Sequence, residues 1–155
     1  MYRQYWMGLF CTVLFIFGSG CSQYEFGPQF TLRSKENRLT NSWAYSQVYK
    51  NGLNILGGSA GSSVIYSKSS IGLQNNGRFS TLVVGTDSAG VEETYNFDGS
   101  WRLVEDDAKL NLIFDTIVPY FGKEQLYTIT KLGSDDLWYE QKEGLDLIEY
   151  RLIPN

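Results

Sequence analysis

Short alternating segments separated by tight-turn residues constrain the fold of this chain more than any other feature. Residues 43–49 alternate large and small side chains, and residues 78–84 form a predicted strand with Phe79, Thr81 and Val83 on one face, which is the period of a β-strand. Asn51-Gly52 and residues 75–77 are turn sequences, because asparagine and glycine accept positive φ. No segment after Asn41 has a convincing helical period, so the sequence predicts hairpin-connected antiparallel strands.

The predicted strands number roughly eight to ten, and a meander of about 110 such residues closes most economically as an up-and-down barrel. We therefore predict an all-β fold, an antiparallel up-and-down β-barrel of about eight strands over residues 42–155, with a two-sheet sandwich as the alternative. The half-polar strands favour a soluble barrel over a membrane barrel. The predicted strands are residues 43–49, 62–67, 70–73, 78–84, 91–97, 100–104, 109–114, 125–132, 137–141 and 145–152, with Asp98-Gly99 as one of the turns.

The first twenty residues have the organisation of a secretory signal peptide. Arg3 supplies positive charge, residues 9–17 form an apolar run, and residues 18–20 are small. The run is shorter than the roughly 20 apolar residues that span a bilayer. We therefore expect residues 1–20 to be removed on export, although a buried apolar helix is the alternative.

Residues 18–21, Gly-Ser-Gly-Cys, resemble the lipobox of bacterial lipoproteins, with Gly18 at a position that is usually aliphatic. The resemblance implies that Cys21 is lipidated and becomes the first residue of the mature chain. Two or three acyl chains, palmitate among them, anchor a protein stably where a single chain is marginal. We expect a lipid-anchored protein of the cell envelope, and Ser22 fits the outer membrane. The alternative is ordinary cleavage that leaves Cys21 as a free thiol.

Residues 21–41 separate this anchor from the predicted barrel. The first part is polar and contains glycine and proline, so we predict a lipidated tether. Residues 30–41 are predicted to form an N-terminal clasp, either a short helical turn or an extended segment lying over the domain.

Composition excludes several functions. The 155 residues include no histidine and only two cysteines, Cys11 and Cys21, so histidine-dependent nucleophile systems and histidine-ligated metal sites are absent. The formal charge of −4 argues against nucleic-acid binding. The acidic turns at residues 105–107 and 135–136 lack the ligand spacing of a calcium loop. We therefore expect no enzymatic activity, cofactor, metal or nucleic-acid partner.

A family resemblance appears in the order of several short motifs. Residues 39–43 resemble the opening strand of lipocalin-like domains, with Asn41 in the glycine position of Gly-x-Trp. The chain is similar, over roughly residues 32–154, to the lipocalin-like domains of small lipoproteins in Gram-negative envelopes. The other motifs are Gly77-Arg78-Phe79, Gly99-Ser100-Trp101, Leu110, Leu112, Tyr127-Thr128-Ile129, Leu132, Leu137 and Ile153-Pro154.

This resemblance implies a barrel that, in lipocalins, holds small apolar molecules. It also implies an arginine from the last strand that covers Trp43 at the closed end. Arg151 is the positional candidate, although it shares a strand face with Glu149 rather than with the apolar Ile148, Tyr150 and Leu152.

Aromatic side chains predicted to point inward are the candidate ligand-binding residues. An eight-stranded barrel is either packed solid or holds one small ligand, and a buried tyrosine hydroxyl needs a hydrogen-bond partner. The alternative is a filled aromatic core with tyrosine hydroxyls in water at the rim. The apolar residues 116–122 are predicted to form a lid or docking surface, or else to tuck into the barrel end. The seven candidates are Trp43, Tyr45, Tyr49, Phe79, Tyr95, Trp101 and Tyr127.

Two functions follow from these features. The first is a membrane-anchored envelope lipoprotein whose barrel binds a small apolar or amphipathic ligand or an envelope protein. The second is a structural or assembly lipoprotein with a packed barrel and no ligand. Ligand pockets measure about 300 Å³ or more, so the lumen decides between them. A lumen filled by Trp43, Phe79 and Trp101, with no opening, would contradict the first.

Overall fold

The computed structural model describes residues 33–57, 64–87, 89–118 and 121–155. The predicted signal peptide, Cys21 and most of the predicted tether lie outside the described residues. The described elements are helix α1 (Lys35–Leu39), a 3-10 helix (Tyr66–Lys68) and the strands β1 (Asn41–Lys50), β2 (Leu53–Asn54), β3 (Ser70–Leu73), β4 (Arg78–Thr86), β5 (Glu92–Val104), β6 (Lys109–Val118), β7 (Gly122–Leu132), β8 (Leu137–Glu143) and β9 (Asp146–Pro154).

Eight of these strands close into one antiparallel barrel. The order is β1-β3-β4-β5-β6-β7-β8-β9, and pairing between β1 and β9 completes the ring. The two-residue β2 pairs with the end of β1. The predicted all-β up-and-down barrel is therefore confirmed. A closed barrel of eight next-neighbour strands is the lipocalin type of architecture.

Helix α1 closes one end of the barrel. Leu39 and Trp43 are completely buried there, and Trp43 Nε1 donates a hydrogen bond to the Leu39 carbonyl at 2.8 Å. The guanidinium of Arg38 donates to the Leu132 carbonyl at 2.7 Å, which ties the helix to the β7–β8 hairpin. Ser34 Oγ accepts from the Asn37 amide and caps the helix. Residues 35–39 of the predicted clasp are therefore a helical plug.

A bulge in β1 changes which of its side chains face the lumen. The register with β9 shifts between Tyr45 and Gln47, so Trp43 and Tyr45 point inward and the next inward residue is the buried Val48. An extra residue in one strand shifts the inside-outside alternation by one position. Tyr49 therefore faces outward, and its predicted inward orientation is wrong.

Strand β5 runs unbroken through the predicted turn at Asp98-Gly99. Its first part pairs with β4 and its last part with β6, so Gly99 lies where the long strand passes from one partner to the other. A Cβ at this position would lie 2.3 Å from the Ile113 carbonyl oxygen and 2.5 Å from Phe79 Cε1. Glycine is present because backbone and ring approach closely, not because the chain reverses.

The predicted strand at residues 62–67 is also corrected in part. Residues 62–63 lie outside the described residues, Val64 makes an isolated bridge to Gly85, and the chain then forms the 3-10 helix. This helix brings Tyr66 into the core, where it is buried.

Candidate functional site

The closed half of the barrel is filled by side chains. Trp43 and Phe79 are fully buried, and Phe79 packs edge-to-face on Phe114 with ring centroids 5.1 Å apart. Trp101 is buried and donates from Nε1 to the Gln74 carbonyl at 2.9 Å. These three predicted ligand-binding residues therefore form the floor of the lumen.

The half of the lumen nearer the open end contains a cluster of five tyrosines, which we call the tyrosine cluster. Its members come from the 3-10 helix and from the four neighbouring strands β7, β8, β9 and β1, so one side of the barrel contributes it. The closest ring pair is Tyr127–Tyr139, with centroids 4.7 Å apart, and the widest is Tyr45–Tyr150 at 6.0 Å. The members are Tyr45, Tyr66, Tyr127, Tyr139 and Tyr150.

Burial keeps the cluster uncharged even above pH 10, where a free phenol ionises. It raises the pKa of Tyr45 to about 12, although the hydrogen bond with Tyr139 opposes that rise. Burial also raises the pKa values of Tyr127, Tyr139 and Tyr150 well above the usual range. A neutral phenol both donates and accepts a hydrogen bond, so the cluster suits uncharged polar groups.

The hydroxyls of the cluster are only partly used within it. Tyr139 Oη donates to Tyr45 Oη at 3.2 Å. Burial raises the pKa of Tyr66, and a hydrogen bond with Tyr150 opposes that rise. Tyr127 makes no side-chain hydrogen bond to any of the described residues.

A small amphipathic cavity lies beside the tyrosine cluster. It leaves about 30 Å³ in which the centre of a water molecule can move. One water needs about 10–15 Å³ by this measure, so the space holds about two waters. Tyr45, Tyr66, Tyr127 and Tyr150 form its polar side, and the rest of its lining is Ile71, Thr81, Val83, Leu112, Phe114 and Phe121.

Phe121 covers this cavity from the β6–β7 hairpin. Its ring stacks on Phe114 with centroids 6.4 Å apart. Gln125 Nε2 donates to the Phe121 carbonyl, and Gln141 Nε2 donates to Gln125 Oε1. Gln141 Oε1 is buried and has no hydrogen-bond partner among the described residues. Two glutamines thus hold an aromatic side chain over the lumen.

The predicted lid, residues 116–122, divides between the interior and solvent. Val118 is buried, Phe121 packs into the barrel end, and Ile117 is exposed. Residues 119 and 120 lie outside the described residues. Phe121 and Val118 therefore match the prediction that this segment tucks into the barrel.

Of the remaining predicted residues, Tyr45 and Tyr127 line the cavity, whereas Tyr49 and Tyr95 do not. Tyr95 is half-buried, stacks on Phe97 at 6.0 Å and donates its hydroxyl to Glu93. Tyr49 lies on the outer wall with the Arg151 guanidinium 4.9 Å from its ring centroid.

The pairing of Arg151 with Trp43, implied by the family resemblance, is wrong. Arg151 lies outside the barrel, 4.5 Å from the Trp138 ring centroid, and also donates to Gln47. The inward side of β9 carries Ile148, Tyr150 and Leu152, so Arg151 points away from Trp43.

Sequence reasoning missed three of the five cluster residues. Tyr139 lies two residues from Leu137, and Tyr150 lies two residues from both Ile148 and Leu152, so each tyrosine shares the inward face of its strand with leucine or isoleucine. The two-residue strand period alone could therefore have found them. Tyr66 reaches the lumen from a 3-10 helix, for which the sequence carries no comparable signal.

The acidic turns are partnered by lysines. Glu105 pairs with Lys109 at 2.7 Å, and Asp107 pairs with Lys35 at 3.6 Å. Within the described ranges, no group of three or more His, Cys, Asp or Glu side chains is placed to hold a metal ion. The helices in this part of the chain are also too short or too polar to cross a membrane.

Comparison with solved structures finds similar folds at low identity. A lipocalin-like protein from Bacteroides uniformis is 19% identical, with a TM-score of 0.48, covering 76% of this chain and 99% of its own. Japanin from Rhipicephalus appendiculatus, solved with cholesterol bound, is 15% identical with a TM-score of 0.46, covering 74% of each chain. No family model matches the chain, and no curated protein matches it. The fold class therefore depends on the strand order and pairing described above.

Proposed function

We propose that this protein is a lipid-anchored protein of the cell envelope, without enzymatic activity, that binds a small amphipathic molecule in its barrel. The observation that carries the proposal is the tyrosine cluster, which lines one side of a cavity whose other side is apolar. The chemistry of this lining matches a ligand with an apolar body and an uncharged polar group, whereas its volume of about 30 Å³ is well below the roughly 300 Å³ of ordinary ligand pockets.

The hydroxyl of Tyr127 supports binding over simple packing. Tyr127 lines the cavity and has no side-chain hydrogen-bond partner among the described residues, and its hydroxyl is not one of the fully buried unpaired polar atoms there. The hydroxyl is therefore accessible to a small molecule, whereas phenylalanine would fill the same space without offering a hydrogen bond. A hydroxyl or amide group of a ligand would satisfy Tyr127, which gives the tyrosine a function that packing does not.

The size of the cavity limits the ligand. Its 30 Å³ admits only a few atoms beside the cluster. A larger ligand requires Phe121 to swing away from Phe114, which would join the cavity to the space beyond the mouth. The apparent affinity for such a ligand is then reduced by the fraction of molecules that are open.

The anchoring part of the proposal rests on the sequence before the barrel. Residues 1–21 combine charge, an apolar run, small residues and Cys21 in the order of a lipoprotein signal. Incorporation of labelled palmitate into the wild-type chain, lost in Cys21→Ala, tests it. A wild-type chain that takes up no label contradicts lipid anchoring and leaves the binding proposal standing.

Native mass spectrometry tests the binding proposal. The full mature protein is released from its own envelope in mild detergent, and we expect an added mass of one small organic molecule. The neutral probe N-phenyl-1-naphthylamine should bind the wild type and bind Tyr127→Phe several-fold more weakly. Tyr49→Phe is the matched control, because Tyr49 lies on the outer wall.

A packed barrel with a structural role is the second candidate, and the small cavity favours it. It predicts no added mass and equal probe fluorescence for wild type, Tyr127→Phe and Tyr49→Phe. That pair of results would contradict ligand binding.

A further inference from the structure

Exposed aliphatic side chains are concentrated at the open end of the barrel. Among the described residues, six large hydrophobic side chains are exposed, and four of them lie on open-end segments. Leu126 lies on the barrel wall and Ile153 near the closed end. We call the other four the aliphatic rim: Leu53 (73% exposed), Val91 (59%), Ile117 (78%) and Leu145 (103%).

The barrel topology places the rim on one edge. Leu53 follows the end of β1, Val91 lies between β4 and β5, Ile117 is near the end of β6, and Leu145 joins β8 to β9. Strands that alternate in direction bring all four of these segments to the same end. Hydrogen bonds from Asn51 to Asp146 and Leu147 hold two of the segments together.

Three rim residues share the same local sequence. Leu53, Val91 and Leu145 each follow a turn glycine with positive φ: Gly52 (+80°), Gly90 (+80°) and Gly144 (+63°). These residues are carried outward at a turn, where a polar side chain would be the ordinary choice. Three turns of the same end therefore have an apolar residue in the same place.

We propose that the aliphatic rim inserts into the surface of a lipid bilayer, so that the barrel mouth faces the membrane. The four side chains come from four separate segments of the open end. A fluid apolar phase accepts such separated tips, whereas a protein partner needs a shaped, continuous patch. The proposal rests on the lipid anchor of the proposed function, which would hold the barrel near a membrane.

The length of chain before the barrel permits this orientation. Thirteen residue steps separate Cys21 from Ser34, which span at most about 45 Å at 3.3–3.6 Å per residue. A ten-residue strand such as β6 is about 33 Å long, and a tilt near 40° makes the barrel roughly 25 Å tall. The chain enters at the closed end, yet it is long enough to pass the barrel and bring the mouth to the membrane of its own anchor.

The charges around the rim favour contact with a bilayer of zwitterionic rather than anionic lipid. Lys50 pairs with Asp146 at 2.7 Å, and Lys68 pairs with Glu92 at 2.6 Å. Both pairs balance their own charge, and the other exposed charges of this end are net negative, so the rim does not present a basic surface to anionic lipids. These charges are Asp87, Glu93, Glu124 and Glu143 against Lys123 and Lys142. Zwitterionic lipid should therefore be sufficient for insertion.

Depth-dependent quenching tests the proposal on the full lipidated chain. Leu145→Cys is labelled with an environment-sensitive fluorophore and reconstituted in phosphatidylcholine vesicles that contain a doxyl quencher at acyl carbon 5. Ser134→Cys is the matched control, since Ser134 is an exposed residue of the β7–β8 hairpin at the closed end. We expect several-fold stronger quenching at position 145 than at position 134.

Replacing the other rim residues provides a second measurement. With the label kept at position 145, Leu53→Asn, Val91→Asn and Ile117→Asn together should reduce quenching by more than half. All three side chains are exposed, so the denaturation midpoint should stay close to that of the parent.

Flotation of the same samples separates failure of the rim from failure of the anchor. Chains that float with the vesicles but show equal quenching at both positions, or more at 134, overturn the rim proposal and leave the anchor intact. Chains that do not float overturn both proposals. Labels at position 145 that are shielded only when envelope proteins are added would assign the rim to a protein partner and also overturn it.

Discussion

Single residues decide how closely the elements of this barrel approach one another. Gly99 allows the Phe79 ring to lie against the β5 backbone, and the Phe79 ring in turn packs on Phe114. At the other end, Tyr127 places a hydroxyl beside the cavity where a phenylalanine would pack equally well. The first residue serves packing, and the second is best explained by a polar partner.

Substitution of Gly99 by alanine tests the close approach. The added Cβ would lie 2.3 Å from the Ile113 carbonyl, so β5 or Phe79 must shift, and we expect a loss of about 1–3 kcal/mol in the free energy of unfolding. Gly57→Ala is the control, because no described atom lies within 4 Å of a Cβ there. Urea denaturation at constant m-value measures both variants. Equal midpoints would show that the β5 backbone and the Phe79 ring can move apart at little cost in stability.

The strands show which structural features can be predicted from local sequence and which cannot. Phe79 and Val83 on β4, and Leu110, Leu112 and Phe114 on β6, are buried on one face as their two-residue period predicts. The bulge in β1 and the continuous β5 depend on contacts with distant strands. For this reason neither the outward Tyr49 nor the straight passage through Gly99 could be inferred from neighbouring residues.

Helix α1 is too short to be stable by itself and depends on what it covers. Leu39 is completely buried against the barrel floor. We expect Leu39→Ala to lower the free energy of unfolding by about 2–5 kcal/mol, because it leaves a cavity beneath the helix. Leu53→Ala, at an exposed leucine, should change it by less than about 0.5 kcal/mol. Thermal unfolding compares the two, and equal values would mean that the helix does not plug the barrel.

At the scale of the whole molecule, the barrel has a packed closed half and a polar open half. The closed half could be anticipated from aromatic and aliphatic positions along the strands. In the open half only Tyr45 and Tyr127 of the cluster were predicted. Tyr139 and Tyr150 follow the strand period and were overlooked, whereas Tyr66 enters from a 3-10 helix that local sequence does not predict. The cavity size depends on side-chain packing across the ring, which no local pattern reports.

The tyrosine cluster makes the stability of the whole barrel sensitive to alkaline pH. In the unfolded chain a phenol ionises near pH 10, whereas the pKa of buried Tyr45 is raised to about 12 and those of Tyr127, Tyr139 and Tyr150 lie well above 10. The folded state therefore holds more protons above pH 10, and its stability falls as pH rises. Below pH 10 these groups contribute no pH dependence.

The expected slope above pH 10 is roughly 1.4 kcal/mol per pH unit for each buried phenol, or roughly 5 kcal/mol for four. Denaturant midpoints measured from pH 9 to 12, together with tyrosinate absorbance at 295 nm, check it. Tyr139→Phe should reduce the slope by about a quarter. Titration of every tyrosine near pH 10 in the folded protein would contradict the burial of the cluster.

The bulge in β1 also has an evolutionary consequence. Deleting Ser46, a change of one codon, would remove the extra residue and leave Tyr45 and Val48 on the inner wall, because the pairs of Tyr45 with Leu152 and of Gln47 with Arg151 would become consecutive. The lumen would keep the same lining with a strand that is one residue shorter. A lineage carrying this barrel could therefore lose the bulge without altering its lumen.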